Sequence, residues 1–249
     1  MNRAEGEPVT IELKRYVFKE DGTIDESLTK IEPGDQLKES ASSSIYYTEG
    51  LKDSTTTNTH AKDIEAFRTS AVKNKGYYIG RYEARTATKR TAKGDELTQL
   101  TEKPGDYVYN YVTQSQAAQR SQKMYAENSN FTSDLVNSYA WDTAITFLQA
   151  FDNRADKTKP YSRQTSLNTG SLAEKGTNND VICNVYDMAS NTWELSTETS
   201  LFNSGPCVTR GGAYYYSDSR YYTSRRSGGG STTSSQDDHS FRPLLYLQN

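Results

Sequence analysis

Apolar and polar positions recur with a readable period in only a few short stretches of this 249-residue chain. "VTIELKRYVF" (9–18) alternates loosely and is rich in β-formers, which predicts a strand closed by the turn "EDGT". "AKDIEAFRTSAVKN" (61–74) sets Ile64, Phe67, Ala71 and Val72 at helical spacing. Asp63 stands near its start and Gly76 just past its end, where a left-handed cap belongs. "GYYIGRYEA" (76–84) alternates again and predicts a central strand. A second helix is expected within 107–128 on Ala117, Ala118, Ser121, Met124 and Tyr125, and a third within 137–151 on Trp141, Ala144, Ile145 and Leu148. "VICNVYDMASNTWELSTET", "PCVTRGGAYYY" and "SFRPLLYL" have strand character. Long polar loops separate these elements at 32–59 and 160–180. Few strands, long loops and no repeat predict one α+β domain over 1–249, irregular and loop-rich, with short antiparallel sheets and two to three helices.

Composition narrows the partners. The net charge of -3 is spread along the chain, so no basic field gathers a phosphate backbone and nucleic acid is not an expected ligand. No apolar run approaches the roughly 20 residues of a membrane span, and "MNRAEGEPVT" lacks the apolar core of a signal peptide. Neither membrane insertion nor export is therefore expected from this chain by itself. Hydrophobic content is low, at 33%, and 19 tyrosines with two tryptophans partly compensate, because aromatic rings bury much area per residue. Cys183 and Cys207 are too few for a disulfide scaffold. They read either as one bond or as two small buried residues on neighbouring strands.

The stretch "RGGAYYYSDSRYYTSRRSGGGSTTSSQDDHSF" (210–241) departs from the rest. From Gly211 to Ser240 it holds no Leu, Ile, Val, Phe, Met or Trp, and all fifteen lysines and sixteen glutamates of the chain precede it. Eight Ser, five Tyr, five Gly and three Arg dominate the thirty residues, which is close to a binding loop's palette: rigid Tyr for contact area, Ser and Gly for adaptability, Arg for hot spots. A Ser/Gly-rich linker is the bland alternative. Five tyrosines, and strand-like text on both sides, argue against it.

"YDMASNTWELSTE", with "YYIGRYEA" and "YAWDTAITFL" upstream and "VTRGGAYY" and "SFRPLLYL" downstream, resembles the formylglycine-generating-enzyme branch of the C-type lectin fold over residues 76–247. The resemblance implies a lectin core over 76–249, preceded by an N-terminal strand and loop over 1–75, with the tryptophan of the "NTWE" turn in the core. It also implies that Asn191 and Glu194 can help hold a calcium ion. Ser190 and Leu195 depart from that pattern, and the alternative is that the pair only holds a turn. The enzymes of the branch use a copper-binding cysteine pair in the C-terminal segment. This chain has no cysteine after Cys207, and His60 and His239 are its only histidines, so neither copper nor histidine-iron chemistry is expected, and no catalytic residue is assigned. Asp238 beside His239 on a polar loop does not make a hydrolase triad.

Residues 211–240 resemble the variable region of proteins diversified by retroelements, in which template adenines are replaced at random. An Asn codon altered at its adenines encodes twenty-nine of the thirty residues but never Lys, Glu, Gln, Met or Trp, leaving Gln236 as a fixed position. Arg210, Gly211, Gly212, Phe241, Arg242 and Pro243 would form the constant frame. Trp141, Trp193, Phe241, Leu244 and Leu245 would help to fix the backbone. Ala213, Tyr215, Tyr216, Asp218, Arg220, Tyr221, Arg225, Ser227, Gly228, Gly229, Asp237, Asp238 and His239 are expected to be variable, solvent-facing binding positions. This resemblance implies a receptor-binding protein of a phage tail tip or bacterial surface that takes a protein or other macromolecular ligand on a cell surface. It requires no cofactor beyond the optional calcium and would form a homo-oligomer, a trimer if on a phage tail. An oxidase relative without its cysteines, or a surface protein that does not vary, are the alternatives.

Overall fold

The computed structural model describes residues 10–49, 61–166, 169–176, 180–202, 205–216 and 220–248. Three α-helices are present among the described residues: α1 (Ile64–Lys73), α2 (Gln114–Lys123) and α3 (Ser138–Ala150). The α3 helix starts where Asn137, in extended conformation, accepts the Ala140 N–H, and it buries Trp141, Ala144, Ile145 and Leu148 as the periodicity predicts. These pack with Tyr16, Phe18, Phe67, Tyr161, Leu244 and Tyr246. Full burial of a side chain such as Ile145 or Leu148 is worth about 1.5–3 kcal/mol. The α2 helix begins with a reciprocal capping box between Thr113 and Gln116 and buries Ala117, Ala118 and Ser121, while Tyr125 is exposed.

Twelve short strands complete the described residues. The first five in chain order are β1 (Tyr47–Thr48), β2 (Tyr78–Ile79), β3 (Arg85–Thr86), β4 (Tyr107–Val108) and β5 (Phe131–Leu135). Then come β6 (Val181–Ile182), β7 (Val185–Tyr186), β8 (Trp193–Ser200), β9 (Cys207–Arg210), β10 (Arg226–Gly230), β11 (His239–Phe241) and β12 (Pro243–Leu247). The largest sheet runs β1-β8-β9-β10 with β11 parallel to β8; a second runs β2-β12-β5, and β3-β4 and β6-β7 are small pairs. This is the expected α+β architecture of three helices and short, mostly antiparallel sheets.

Several local expectations need correction. The described part of 9–18 forms no strand and makes isolated bridges, Arg15 to Lys30 and Phe18 to Ile24, although Tyr16, Val17 and Phe18 are buried. The stretch 76–84 supplies only the two residues of β2, at the edge of its sheet rather than its centre. At the end of α1 the left-handed residue is Lys75 (φ 55), and the Gly76 N–H bonds Ala71 O one turn back. Val72, expected on the buried face of α1, is 69% exposed. The two cysteines are separate thiols: Cys207 is buried in β9, and Cys183 is exposed in the β6-β7 turn. There the positive φ of Cys183 and Asn184 (50° and 63°) gives the backbone twist of a type I′ hairpin. Among the described residues no helix is long and apolar enough to cross a membrane.

Candidate functional site

Polar groups place much of the described backbone after β9. β8 reads "WELSTETS", yet all eight residues are buried. Its Glu198 bonds Arg210 Nη1 (2.7 Å) and Arg226 Nε (2.7 Å), and both guanidiniums also pair with Asp142 of α3. All four side chains are essentially inaccessible to solvent. Arg15 lies 3.9 Å from Glu198, and Glu49 accepts the N–H and hydroxyl of Ser138 at the positive end of α3. Burial works against the Glu198 charge, but the Arg226, Arg210 and Arg15 guanidiniums outweigh it and hold its carboxyl at about 2. Low hydropathy thus coexists with a core because charges and hydroxyls satisfy one another inside it.

This cluster pins the backbone beyond β9. Arg210 donates to Arg225 O (3.0 Å) and Ser224 O (3.3 Å), and the Trp141 indole donates to Thr223 O (3.0 Å). Ser162 and Ser166 add bonds from Ser166 Oγ to Ala213 O (2.7 Å), Ser166 N to Tyr221 O (3.3 Å) and Ser224 N to Ser162 O (3.1 Å). The glycines at the start of the segment are forced. A Cβ on Gly211 (φ +76) would lie 2.4 Å from Met188 O, and one on Gly212 would lie 2.8 Å from Ser166 Cβ. At the far end Phe241 and Arg242 are fully buried.

On this frame sits an aromatic surface. Tyr214, Tyr215, Tyr216 and Tyr221 pack in sequence, with ring centroids 4.4–4.7 Å apart, and Trp193 lies beneath Tyr216 (5.9 Å) and Tyr221 (5.1 Å). Such ring pairs add about 0.5–1.5 kcal/mol each beyond area burial. Tyr214 donates to Asp237 (2.9 Å) and Tyr215 to Asp238 (2.5 Å), and Asp238 also meets His239 Nδ1 (2.8 Å). Burial opposes the Asp238 charge, yet the bonds from His239 and Tyr215 and the charge of His239 keep its carboxyl below the ordinary value. Partial burial and the bond to Asp237 push the Tyr214 phenol up to about 12, so it stays a neutral donor. Arg220 lies over Tyr221, 5.7 Å from its ring centroid. The arrangement is an amphipathic platform of stacked rings with hydrogen-bonded hydroxyls.

Of the expected binding positions, Tyr215 and Arg220 are exposed, and Tyr216, Tyr221, Arg225, Ser227, Gly228, Asp237 and His239 are partly so. Ala213 and Asp238 are corrections. Ala213 is wholly buried with its carbonyl accepting the Ser166 hydroxyl, and Asp238 is 2% exposed because it anchors Tyr215 and His239 from below. Gly228 is also constrained, since a Cβ there would lie 2.5 Å from Ser200 Oγ. Arg225 bonds Glu39 (2.6 Å), and Glu39 also accepts the Arg226 N–H. Asp218 lies outside the described residues, and Gly229 is placed only as backbone of β10. Gln236 is exposed, and its side chain donates to Ser234 Oγ. Tyr214, which sequence reasoning left out, joins the platform; its place in the "YYY" run was the available signal. Leu245, expected to help fix the backbone, is only partly buried.

Asn191 and Glu194 do not present a calcium donor set. Glu194 gives both oxygens to Arg242 (2.5 and 2.9 Å), while Asn191 (φ 66) accepts Ala173 N and donates to Glu83 (2.8 Å). Asn191 holds the turn before β8 and Glu194, within β8, is engaged by Arg242, whereas calcium needs six to eight oxygens. Among the described residues no group of three or more His, Cys, Asp and Glu side chains could hold a metal. No family model, curated protein or solved structure matches the chain.

Proposed function

We propose that this chain is a ligand-binding variable protein, a C-type-lectin-type scaffold of the formylglycine-generating-enzyme branch whose segment 211–240 is diversified by a retroelement. The carrying observation is the division of labour in that segment. Arg210, Gly211, Gly212, Phe241 and Arg242 are buried, whereas Tyr214, Tyr215, Tyr216, Arg220 and Tyr221 form an accessible stacked surface. Platform residues can then change while the buried ion pairs keep the backbone in place. The ligand in this reading is a protein on a cell surface, bound from a phage tail tip or a bacterial surface through Tyr and Arg anchors. No catalytic step and no cofactor is invoked. Trimeric display on a tail would raise avidity by a factor of about 100 or more.

The test lies in the genome that carries the gene. A near-copy of its 3′ end, with Asn codons at Tyr215, Tyr216, Arg220, Tyr221 and Ser227 and beside a reverse-transcriptase gene, is the expected finding. Absence of both would leave a surface protein that does not vary.

A further inference from the structure

A cleft away from the tyrosine platform contains a carboxyl group that the protein itself does not satisfy. The cleft has a volume of about 310 Å³ and is lined by Tyr78, Gly80, Tyr82, Glu102, Met124 and Tyr125, with further residues from 79–81, 104 and 243–245; none comes from 211–240. Its size falls at the lower end of small-molecule sites. Glu102 Oε1 is buried there and accepts no hydrogen bond from any described residue. An acceptor left in that state normally costs about 1–3 kcal/mol. Tyr78 and Tyr125, at 62% and 40% exposure, leave large ring surfaces open at the mouth.

The charged groups around Glu102 are engaged elsewhere. Arg242, from the β11-β12 junction, bonds Glu194 of β8 through Nε and Nη2, and Gly80 O through Nη1. Arg85 of β3 donates to Asp106 O and faces the Tyr82 ring at 5.5 Å. Arg81 at the rim is exposed. Glu194 is the nearby like charge. Neither Arg242 nor Arg85, whose buried Nε makes no hydrogen bond of its own, reaches Glu102, so Oε1 is left open to a donor from outside.

We propose that this cleft binds a small primary amine with an aromatic body, its ammonium donating to Glu102 and its ring packing on Tyr78, Tyr82 and Tyr125. The ammonium supplies the hydrogen bond that Oε1 lacks and adds its charge to those of Arg242 and Arg85, and aromatic walls favour a cation lying over their faces. Burial, opposed by Arg242 and Arg85, pushes the Glu102 carboxyl up to about 8, so near neutral pH it holds a proton. Binding the ammonium releases that proton from the Glu102 carboxyl to buffer, with no other change of bonding. Affinity therefore rises as pH goes from about 6 to about 8.

Tyramine is the probe, and tyrosol, with a hydroxyl in place of its ammonium, is the control. Titration calorimetry at pH 7 in phosphate and in Tris is expected to give different heats, reporting proton release. Tyramine is expected to bind at least about tenfold more tightly than tyrosol, and Glu102→Gln should remove that preference. If that variant fails to fold, Tyr78→Ala, at an exposed position, should weaken tyramine severalfold while leaving the fold intact. Equal binding of the two probes, unchanged binding by the tested variant, or no binding of tyramine up to about 10 mM overturns the proposal.

Discussion

Replacing Glu198 by Gln removes one negative charge from a site at which three buried guanidiniums converge. Arg210 and Arg226 each lie 2.7 Å from its oxygens and Arg15 lies 3.9 Å away. The amide has nearly the same shape, so no cavity forms, and the loss measures the charge together with the one arginine bond that an amide nitrogen cannot accept. Breaking a buried ion pair on one side costs about 3–5 kcal/mol. For a chain of this size each kcal/mol shifts the Tm by about 2–4 °C, so a fall of roughly 6–20 °C is expected. Urea unfolding followed by tryptophan fluorescence is a suitable assay, because the Trp141 ring lies 5.6 Å from the Arg210 guanidinium. The effect also has a pH signature. Glu198 has its carboxyl at about 2 in the folded chain against 4.5 as an isolated side chain. Its contribution is therefore complete above 4.5 and is lost as pH falls through about 2, so parent and variant should converge in acid. A loss below about 1 kcal/mol at neutral pH, or a gap that does not narrow in acid, would refute the view that this cluster holds the segment.

Three further outcomes follow from individual contacts. Gly211→Ala should cost at least about 2 kcal/mol in urea unfolding, because it combines a left-handed φ with a backbone clash, whereas Gly170→Ala (φ +70, open space) should cost only about 1 kcal/mol. Tyr215→Ala removes two ring pairs and the bond to buried Asp238 and should cost about 1–3 kcal/mol in urea unfolding; an unchanged stability would contradict the stacking of the platform. Burial raises both Glu83 and Glu102 to about 8, so the folded chain holds protons that the unfolded chain releases, and stability should fall between about pH 4.5 and 8. Glu102→Gln should flatten that decline without abolishing it.

The helices were legible because their apolar positions repeat locally. In α3 the Trp141, Ala144, Ile145 and Leu148 pattern lies on the buried face as read, while in α1 Val72 lies just outside the covered stripe. Strands were harder to place. Tyr16, Val17 and Phe18 are buried without pairing into a ladder, and β8 is buried throughout despite a polar sequence. The buried ion cluster could not be read from the chain, since Arg210 and Arg226 lie 68 and 84 residues from Asp142. No local pattern distinguishes a buried arginine from a surface one. Of the candidate surface, the tyrosine run and its glycine frame were visible in composition. The inward placement of Ala213 and Asp238 was not, because it depends on the Ser166 and Tyr215 hydroxyls.

The central claim is that the platform can vary on a fixed frame. A library with Tyr214, Tyr215, Tyr216, Arg220, Ser227 and Asp237 drawn from the residues that an adenine-substituted Asn codon encodes, sorted for protease-resistant chains, tests it most directly. The account predicts that most members stay folded, whereas the same randomisation at Arg210, Gly211, Arg226 and Arg242 leaves almost none. Comparable losses in the two libraries would contradict it.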